Sequence, residues 1–467
     1  MANILVATGT VEGHMYPSLQ VVKELVKRGH KIIYWTGESS KLAVEIIGAK
    51  HYPIPEYWDS KDIPYYEFRP EVAELKGIKQ IKFYIKTEFL GYAQETLDFY
   101  DEIKDDFKID LILIDPITWP VYFLATKLKV PCVNIHMIPL LTSSKDTAPF
   151  GTGLLPATNI VTTWRNRLLT YITNEWLLKD TLQFANKKRE LFGLSHFDKR
   201  HKFIANAMLA IPDRILYMTV PSFEYPRTDN PNTIEYIGPV IRAPEPDFVE
   251  PEWWPELQGD KAIILVNQGT MISDLSDLIL PTIDALRDDD YLVIAVPVTR
   301  ELTGLPDNVR TSSFIPFGNI LPYVDVFVTN AGYGGVHMAL AEGIPIVAAG
   351  EQDDKMEIAA RIEWSGCGIN LRSKSPKPKK IRQAITEVLS DPAYQKNAER
   401  LQNEIKRYDP VTLACDAVDE ELAKLQRQEK RSSLPQVDSC DNNLFLNRWS
   451  PYQCHLVMEL KSAIGAT

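Results

Sequence analysis

Short, uniformly apolar runs alternate along this chain with longer stretches of helical periodicity. Ile4 to Ala7, Lys31 to Trp35, Leu111–Ile114 and Cys132–Ile135 form one series, and Ala262–Asn267, Leu292–Val296, Val326–Thr329 and Ile344–Ala349 form a second. A short strand followed by a helix and another strand is the βαβ unit of a parallel sheet. Leu19, Val22 and Val26 fall at helical spacing ahead of Gly29, a favoured helix stop, and Val121 to Leu128 fills the same place later. At 467 residues the chain exceeds one ordinary core; two domains of roughly 200 residues each are expected. The fold class is therefore α/β, with two parallel-sheet domains of similar architecture.

Prolines crowd the stretch from Pro221 to Pro255, which excludes a continuous helix or a central strand there. The predicted organisation is a first domain over 1–220, a Pro-rich linker over 221–257, a second domain over 258–395 and charged helices over 396–428. Residues 429–467 lose all periodicity and are expected to form a poorly ordered, dispensable tail. Within the first domain, Trp164, Leu168, Ile172 and Trp176 recur every four residues. An amphipathic helix packed on its own domain is the expectation. A cover over a pocket, or a transient contact with a membrane surface, is the alternative.

The net charge of −11 argues against a nucleic-acid partner, although backbone amides and helix N-termini can still hold a nucleotide. Five cysteines without a C-x-x-C pair or zinc spacing read as reduced thiols with no metal site. The opening MANILVATGT has no basic n-region, and no window approaches the ~18 apolar residues of a membrane span. A cytoplasmic monomer is expected.

Two constellations carry chemistry. The loop Gly9-T-V-E-Gly13-His14-M-Y-Pro17 follows the first strand, where ligands meet open parallel sheets. A neutral His14 there can take a proton from a hydroxyl. Asp115, just after the strand DLILI, can fix its tautomer and stabilise the imidazolium. A loop His is often only structural, and an Asp after a strand often caps a helix; two strand-end positions together favour the pair. His136 is a competing base, assigned instead to a binding pocket because its flanks are apolar. In the second domain, V-N-Q-Gly269-Thr270 offers an amide and a hydroxyl to a phosphate. Gly332, Gly334 and Gly335 open a helix whose N–H groups can approach a diphosphate. The spacing fits neither a dinucleotide fingerprint nor a P-loop.

The block from Phe314 to Lys355 resembles the donor signature of the family-1 nucleotide-sugar glycosyltransferases, which include plant natural-product and bacterial macrolide enzymes. The family form is F-x-P-x-x-x-L-L-P, then H-G-G-x-G-S-x-x-E-A-L-x-x-G-V-P, then D-Q. G-x-x-G-H-x-x-P near the start resembles the acceptor-side signature, and the similarity spans about residues 1–428. It implies a GT-B fold in which two Rossmann-like domains face a central cleft and C-terminal helices cross back to the first. The first domain would bind the acceptor and the second the nucleotide sugar, with inversion and no metal ion. Asn330 stands where the family has the His that contacts the diphosphate, and its amide is expected to donate to phosphate in its place. Met338 stands where the family has the Glu that binds ribose, so His337 or Glu342 is expected to hold the ribose. Asp354 and Lys355 stand for the D-Q pair that reads the sugar. Phe314 or Phe317 would stack on uracil, with the backbone at Ile315 reading its edge. Met15, Tyr84, Phe89, Trp119, His136, Met137, Phe150 and Trp164 suggest a roomy aromatic acceptor pocket.

The expected reaction is transfer of a hexose, glucose foremost, from a UDP-sugar co-substrate to a hydroxyl of a small lipophilic aglycone, such as a flavonoid, another polyphenol or a polyketide. No cofactor is expected. The alternatives are a sterol or lipid glucosyltransferase, an epimerase-like enzyme acting on the donor alone, and a nucleotide-sugar binder without transferase activity.

Overall fold

In the computed structural model, the described residues are 1–467 apart from 62, 64, 270–273, 298–301, 352 and 434–467. Contacts divide the chain into Met1–Leu422, which holds both sheets, and Ala423–Thr467. The first sheet contains β1 (Asn3–Ala7), β2 (Lys31–Thr36), β3 (Lys50–Pro53), β4 (Leu111–Ile114), β5 (Cys132–His136), β6 (Arg214–Tyr217) and β7 (Ile234–Tyr236). All are parallel, in the order β3-β2-β1-β4-β5-β6-β7. The second contains β8 (Ala262–Asn267), β9 (Tyr291–Val296), β10 (Val309–Thr311), β11 (Val326–Thr329), β12 (Ile346–Ala348) and β13 (Gly368–Asn370), in the parallel order β10-β9-β8-β11-β12-β13.

Uniformly apolar strands fit these sheets because both faces are covered. Leu5, Ala7, Ile33 and Trp35 enter one core layer, while Ile4, Val6, Ile32 and Tyr34 enter the layer opposite. In the second sheet Ile263 and Leu265 divide from Ile264 and Val266 in the same way. Both sheets reverse strand order beside their central strand, at β1/β4 and at β8/β11. Such reversal points open the crevice in which α/β folds bind ligands.

Three expectations change. The chain around His14 is not all loop, because α1 (Glu12–Lys27) starts before it and carries Pro17 inside. The proline removes one internal hydrogen bond near the helix start. The 221–257 stretch is not linker throughout: β7 joins the first sheet from within it. A three-residue edge strand between Pro231 and Pro239 tolerates those flanks. The segment around Trp164 forms α2 (Ile160–Ile172), a π-helical turn (Thr173–Leu177) and α3 (Lys179–Leu191). Its large apolar groups do not pack on the domain: Trp164 and Trp176 are 65% and 74% exposed.

Near the C-terminus, Ala414, Cys415, Ala417, Val418 and Leu422 return to the core under the first sheet. Arg28 fixes that return by bonding Asp416 and Asp419, at 2.7 and 2.8 Å. Cys132, Cys367 and Cys415 are buried and unpaired. Most of the expected tail lies outside the described residues. No described helix is long and apolar enough to cross a membrane.

Candidate active site

The two strand-order reversals face one cleft of about 1070 Å³. That lies at the upper end of the roughly 300–1,000 Å³ usual for ligand pockets. His14 sits in the first turn of α1 and lines the cleft, while Asp115, just past β4, is fully buried behind it. His14 Nδ1 lies 3.0 Å from Asp115 Oδ2. The same carboxylate accepts the N–H groups of Gly9 at 2.6 Å, Ile117 at 3.0 Å and Thr118 at 2.9 Å. Burial alone would raise the Asp115 pKa; the bond to His14 and the backbone donors outweigh it and hold it below the usual carboxylate value. An ionised carboxylate only accepts, so Nδ1 carries a proton, and the neutral ring then presents its Nε2 lone pair to the cleft. The arrangement provides an oriented base.

An aromatic row continues from the base. Trp119 packs on Phe89 at 5.2 Å, and Phe89 stacks on Tyr84 at 6.2 Å. All three line the cleft, with Met137 and Phe150. Tyr84 also reaches across it, its hydroxyl donating to Asp353 Oδ1 at 2.7 Å.

Three expected acceptor residues lie elsewhere. Met15 turns into the core, where its sulfur accepts from Thr8 and Thr36, each at 3.1 Å. His136 is buried, 3.0 Å from the Asn134 side-chain oxygen. Burial, and the nearby charge of His14, push its pKa down to about 3. Being two residues apart on a strand, Asn134 and His136 share one face, and Met137 beyond the strand end takes the cleft position. Trp164 points to solvent and does not line the cleft.

On the opposite wall, β8 ends at Asn267, whose side chain accepts the Gly269 N–H at 2.8 Å. Thr270 lies outside the described residues. Beyond β11, the Asn330 amide donates to the Gln268 carbonyl. Ala331 takes a left-handed φ of +64° and Gly332 caps α4 (Tyr333–Ala341). Gly332, Gly334 and Gly335 line the cleft at the helix N-terminus. A Cβ on Gly334 would meet nothing within 4 Å, so its backbone is open to a ligand. Gly350 is required for another reason: a Cβ there would lie 2.5 Å from the Asn330 carbonyl oxygen.

Phe314 is exposed and lines the cleft with Ile315, whereas Phe317 packs its ring edge-on against Phe327 at 5.5 Å, under the glycine turn. Neither expected ribose ligand reaches the site. His337 is buried, with Nε2 2.8 Å from the Thr219 hydroxyl and Nδ1 on the Tyr333 carbonyl; Glu342 ends the far side of α4. Met338, four residues after Gly334, shares the cleft face and accepts the Arg242 N–H at 3.2 Å. Arg242 and Glu245 line the same corner, and Arg242 bonds Glu12 at 2.6 Å. Both come from the Pro-rich stretch, which has no periodicity to flag them.

Asp354 and Lys355 stand at the start of α5 (Lys355–Ser365) and line the cleft. Burial pushes the Asp354 pKa up to about 6, with Lys355 pulling it down and Asp353 pushing it up. The His14 charge is also felt there, so the two walls meet electrostatically at this point. Behind α5 the walls are clasped: Glu357 accepts the N–H groups of Gly151, Thr152 and Gly153 at 2.9, 3.1 and 2.9 Å. Buried Arg361 bonds Glu224 at 2.9 Å.

Residues 281–417 match the family model described as the erythromycin biosynthesis protein CIII-like C-terminal domain. The chain is 36% identical over 419 residues to 4'-demethylrebeccamycin synthase of Lentzea aerocolonigenes, covering 90% of this chain and 99% of that protein. UDP-glucosyltransferase 1 of Beauveria bassiana is 29% identical over 443 residues, covering 90% and 95%. The solved structure of the kitacinnamycin glycosyltransferase superposes with a TM-score of 0.70 at 21% identity, over 90% of this chain and 99% of that one; it shares the fold.

Proposed function

From the premise that this chain belongs to the family-1 GT-B glycosyltransferases, we propose that it transfers a hexose, glucose foremost, from a UDP-sugar to a hydroxyl of a small lipophilic aglycone such as a polyketide, flavonoid or other polyphenol. The observation that carries this reading is that an Asp-oriented imidazole and a glycine-opened helix N-terminus line one cleft. The name of the Beauveria bassiana relative supports UDP-glucose as donor.

In this reading the acceptor hydroxyl attacks the anomeric carbon from the first-sheet wall and its proton passes to His14 Nε2. Asp115 stabilises the imidazolium through Nδ1. The bond from the anomeric carbon to the diphosphate breaks on the opposite face, with inversion, and UDP leaves carrying the electron pair. The Gly334 and Gly335 amides and the α4 dipole meet the charge on the departing diphosphate, so no metal ion or other cofactor is invoked. Phe314 stacks on the base, Arg242 and Glu245 approach the ribose, and Asp354 with Lys355 contacts the sugar hydroxyls. Tyr84, Phe89, Trp119, Met137 and Phe150 enclose the aglycone.

The test is a mass-spectrometric screen of UDP-sugars against lipophilic hydroxyl compounds. Acceptor-dependent release of UDP, with an acceptor mass gain of one hexose, is expected. Release or conversion of the donor without acceptor would point to the epimerase-like alternative.

A further inference from the structure

The segment formed by α2 and its π turn is amphipathic the wrong way round for a globular surface. Its buried positions include Asn166 and Asn174, and the Asn174 amide shares hydrogen bonds with the Ser143 hydroxyl at 3.0 and 3.2 Å. Its exposed face carries Ile160, Trp164, Leu168, Tyr171 and Trp176. A spacing of four drifts by about 40° per step around an α-helix, and the wider π turn at Thr173–Leu177 rotates back, keeping Trp176 in line. A continuous apolar stripe on a monomer's surface marks an interaction site.

Charge identifies what lies against it. Both acids between 159 and 180 are already paired: Glu175 with Lys202 at 3.8 Å, Asp180 with Lys82 and Lys86 at 2.9 and 2.7 Å. Arg165, Arg167 and Lys179 are exposed and pair with no carboxylate among the described residues, although the chain's net charge is −11. Arg167 lies 5.9 Å from the Trp164 ring. Tryptophan and tyrosine interleaved with cations that no described carboxylate neutralises match the headgroup layer of a bilayer, which takes up amphipathic rings and attracts basic groups.

We propose that the outer face of α2 and its π turn docks the protein on an anionic lipid bilayer, lying in the interface plane. The inner side of the same segment lines the cleft through Thr173 and Leu178. Docking would therefore set the acceptor wall against the lipid in which a lipophilic acceptor dissolves. That consequence rests on the acceptor reading above; the docking itself does not.

Flotation of the full chain with phosphatidylcholine vesicles containing about 30% phosphatidylglycerol tests it. Binding is expected to those vesicles, to weaken at least about tenfold on pure phosphatidylcholine and to be released by about 1 M salt. The double variant L168S/W176S should bind at least about tenfold more weakly at unchanged Tm, since both side chains are exposed. R165E/R167E should lose only the preference for anionic vesicles. Failure of the wild type to float overturns the proposal, as does a concentration-dependent dimer that Leu168→Glu converts to monomer. Sugar transfer to a water-soluble acceptor, measured in parallel, separates loss of docking from failure of the proposed reaction.

Discussion

On the first-sheet wall of the cleft the reactive groups are side chains fixed by other groups. Asp115 accepts three backbone N–H groups and orients His14. On the second-sheet wall the polar side chains are turned elsewhere: Asn330 donates to the Gln268 carbonyl and His337 bonds Thr219. At the helix N-terminus it is the backbone of Gly332, Gly334 and Gly335 that faces the cleft. The carboxylates differ in the same sense. Asp115 is so well supplied with donors that its pKa falls despite burial, whereas at Asp354 burial outweighs Lys355 and a backbone donor and the pKa rises to about 6. In the proposed reaction one wall is finished before substrate arrives, and the other is completed by its ligand. A base must be oriented in advance, while a diphosphate brings its own acceptors to amides that need only be accessible.

The contrast predicts that side-chain removal is costly on one wall and nearly silent on much of the other. His14→Ala should lower kcat by about 10³-fold or more, within the general-base range, while UDP affinity measured calorimetrically stays within about twofold. Retained turnover would remove His14 from the mechanism. On the donor wall the sensitive change adds atoms. Gly334→Val would place a branched side chain in the open space beside the helix N-terminus, and UDP binding should weaken by about 100-fold at unchanged Tm, since the cleft would then exclude a phosphate from the amides. Weakening no greater than for a surface substitution would move the diphosphate away from that turn.

How legible each wall was in the sequence follows from the same difference. His14 and Asp115 could be found because apolar runs mark strand ends, and a strand end in a parallel sheet is a place as well as a pattern. The glycine cluster was legible because open backbone leaves a compositional trace. Direction was not legible. The four-residue spacing of Trp164, Leu168, Ile172 and Trp176 defines a stripe, but only the burial of Asn166 and Asn174 shows that the stripe faces out. His337 and Met338 are adjacent in sequence, yet one turns into the core and the other into the cleft, about 100° apart on α4. Arg242 and Glu245 had no periodic neighbours, and only the folded chain brings them to Met338.

Phe314→Ala sharpens the comparison at smaller scale. Phe317 supports the glycine turn through Phe327, whereas Phe314 is free to stack. Loss of a base–aromatic contact of about 1–2 kcal/mol would weaken UDP binding roughly 5- to 30-fold. The Tm of this variant should hardly move, and an unchanged UDP affinity would assign the base to another surface.

The smallest expected effect tests the carboxylate contrast directly. The folded Asp354 pKa of about 6 lies above the ordinary 3.8, mainly because burial penalises its charge. Between those values the folded chain holds a proton that the unfolded chain has released, so this residue lowers stability as pH rises through that window. Asp115 is depressed instead; its contribution is present above the unfolded pKa and is lost as pH falls through the folded one. Asp354→Asn should therefore raise Tm modestly at pH 7 and leave it nearly unchanged at pH 4. If sugar hydroxyls add donors to Asp354, UDP-glucose should lower its pKa and UDP alone should not. Calorimetry at pH 6 in buffers of different ionisation enthalpy would then show more proton release with UDP-glucose in the wild type than in Asp354→Asn, whereas UDP, whose terminal phosphate itself titrates near about pH 6, would show the same release in both. Equal release with UDP-glucose in the wild type and in Asp354→Asn would place the hexose away from α5 and leave the donor wall reading the nucleotide alone.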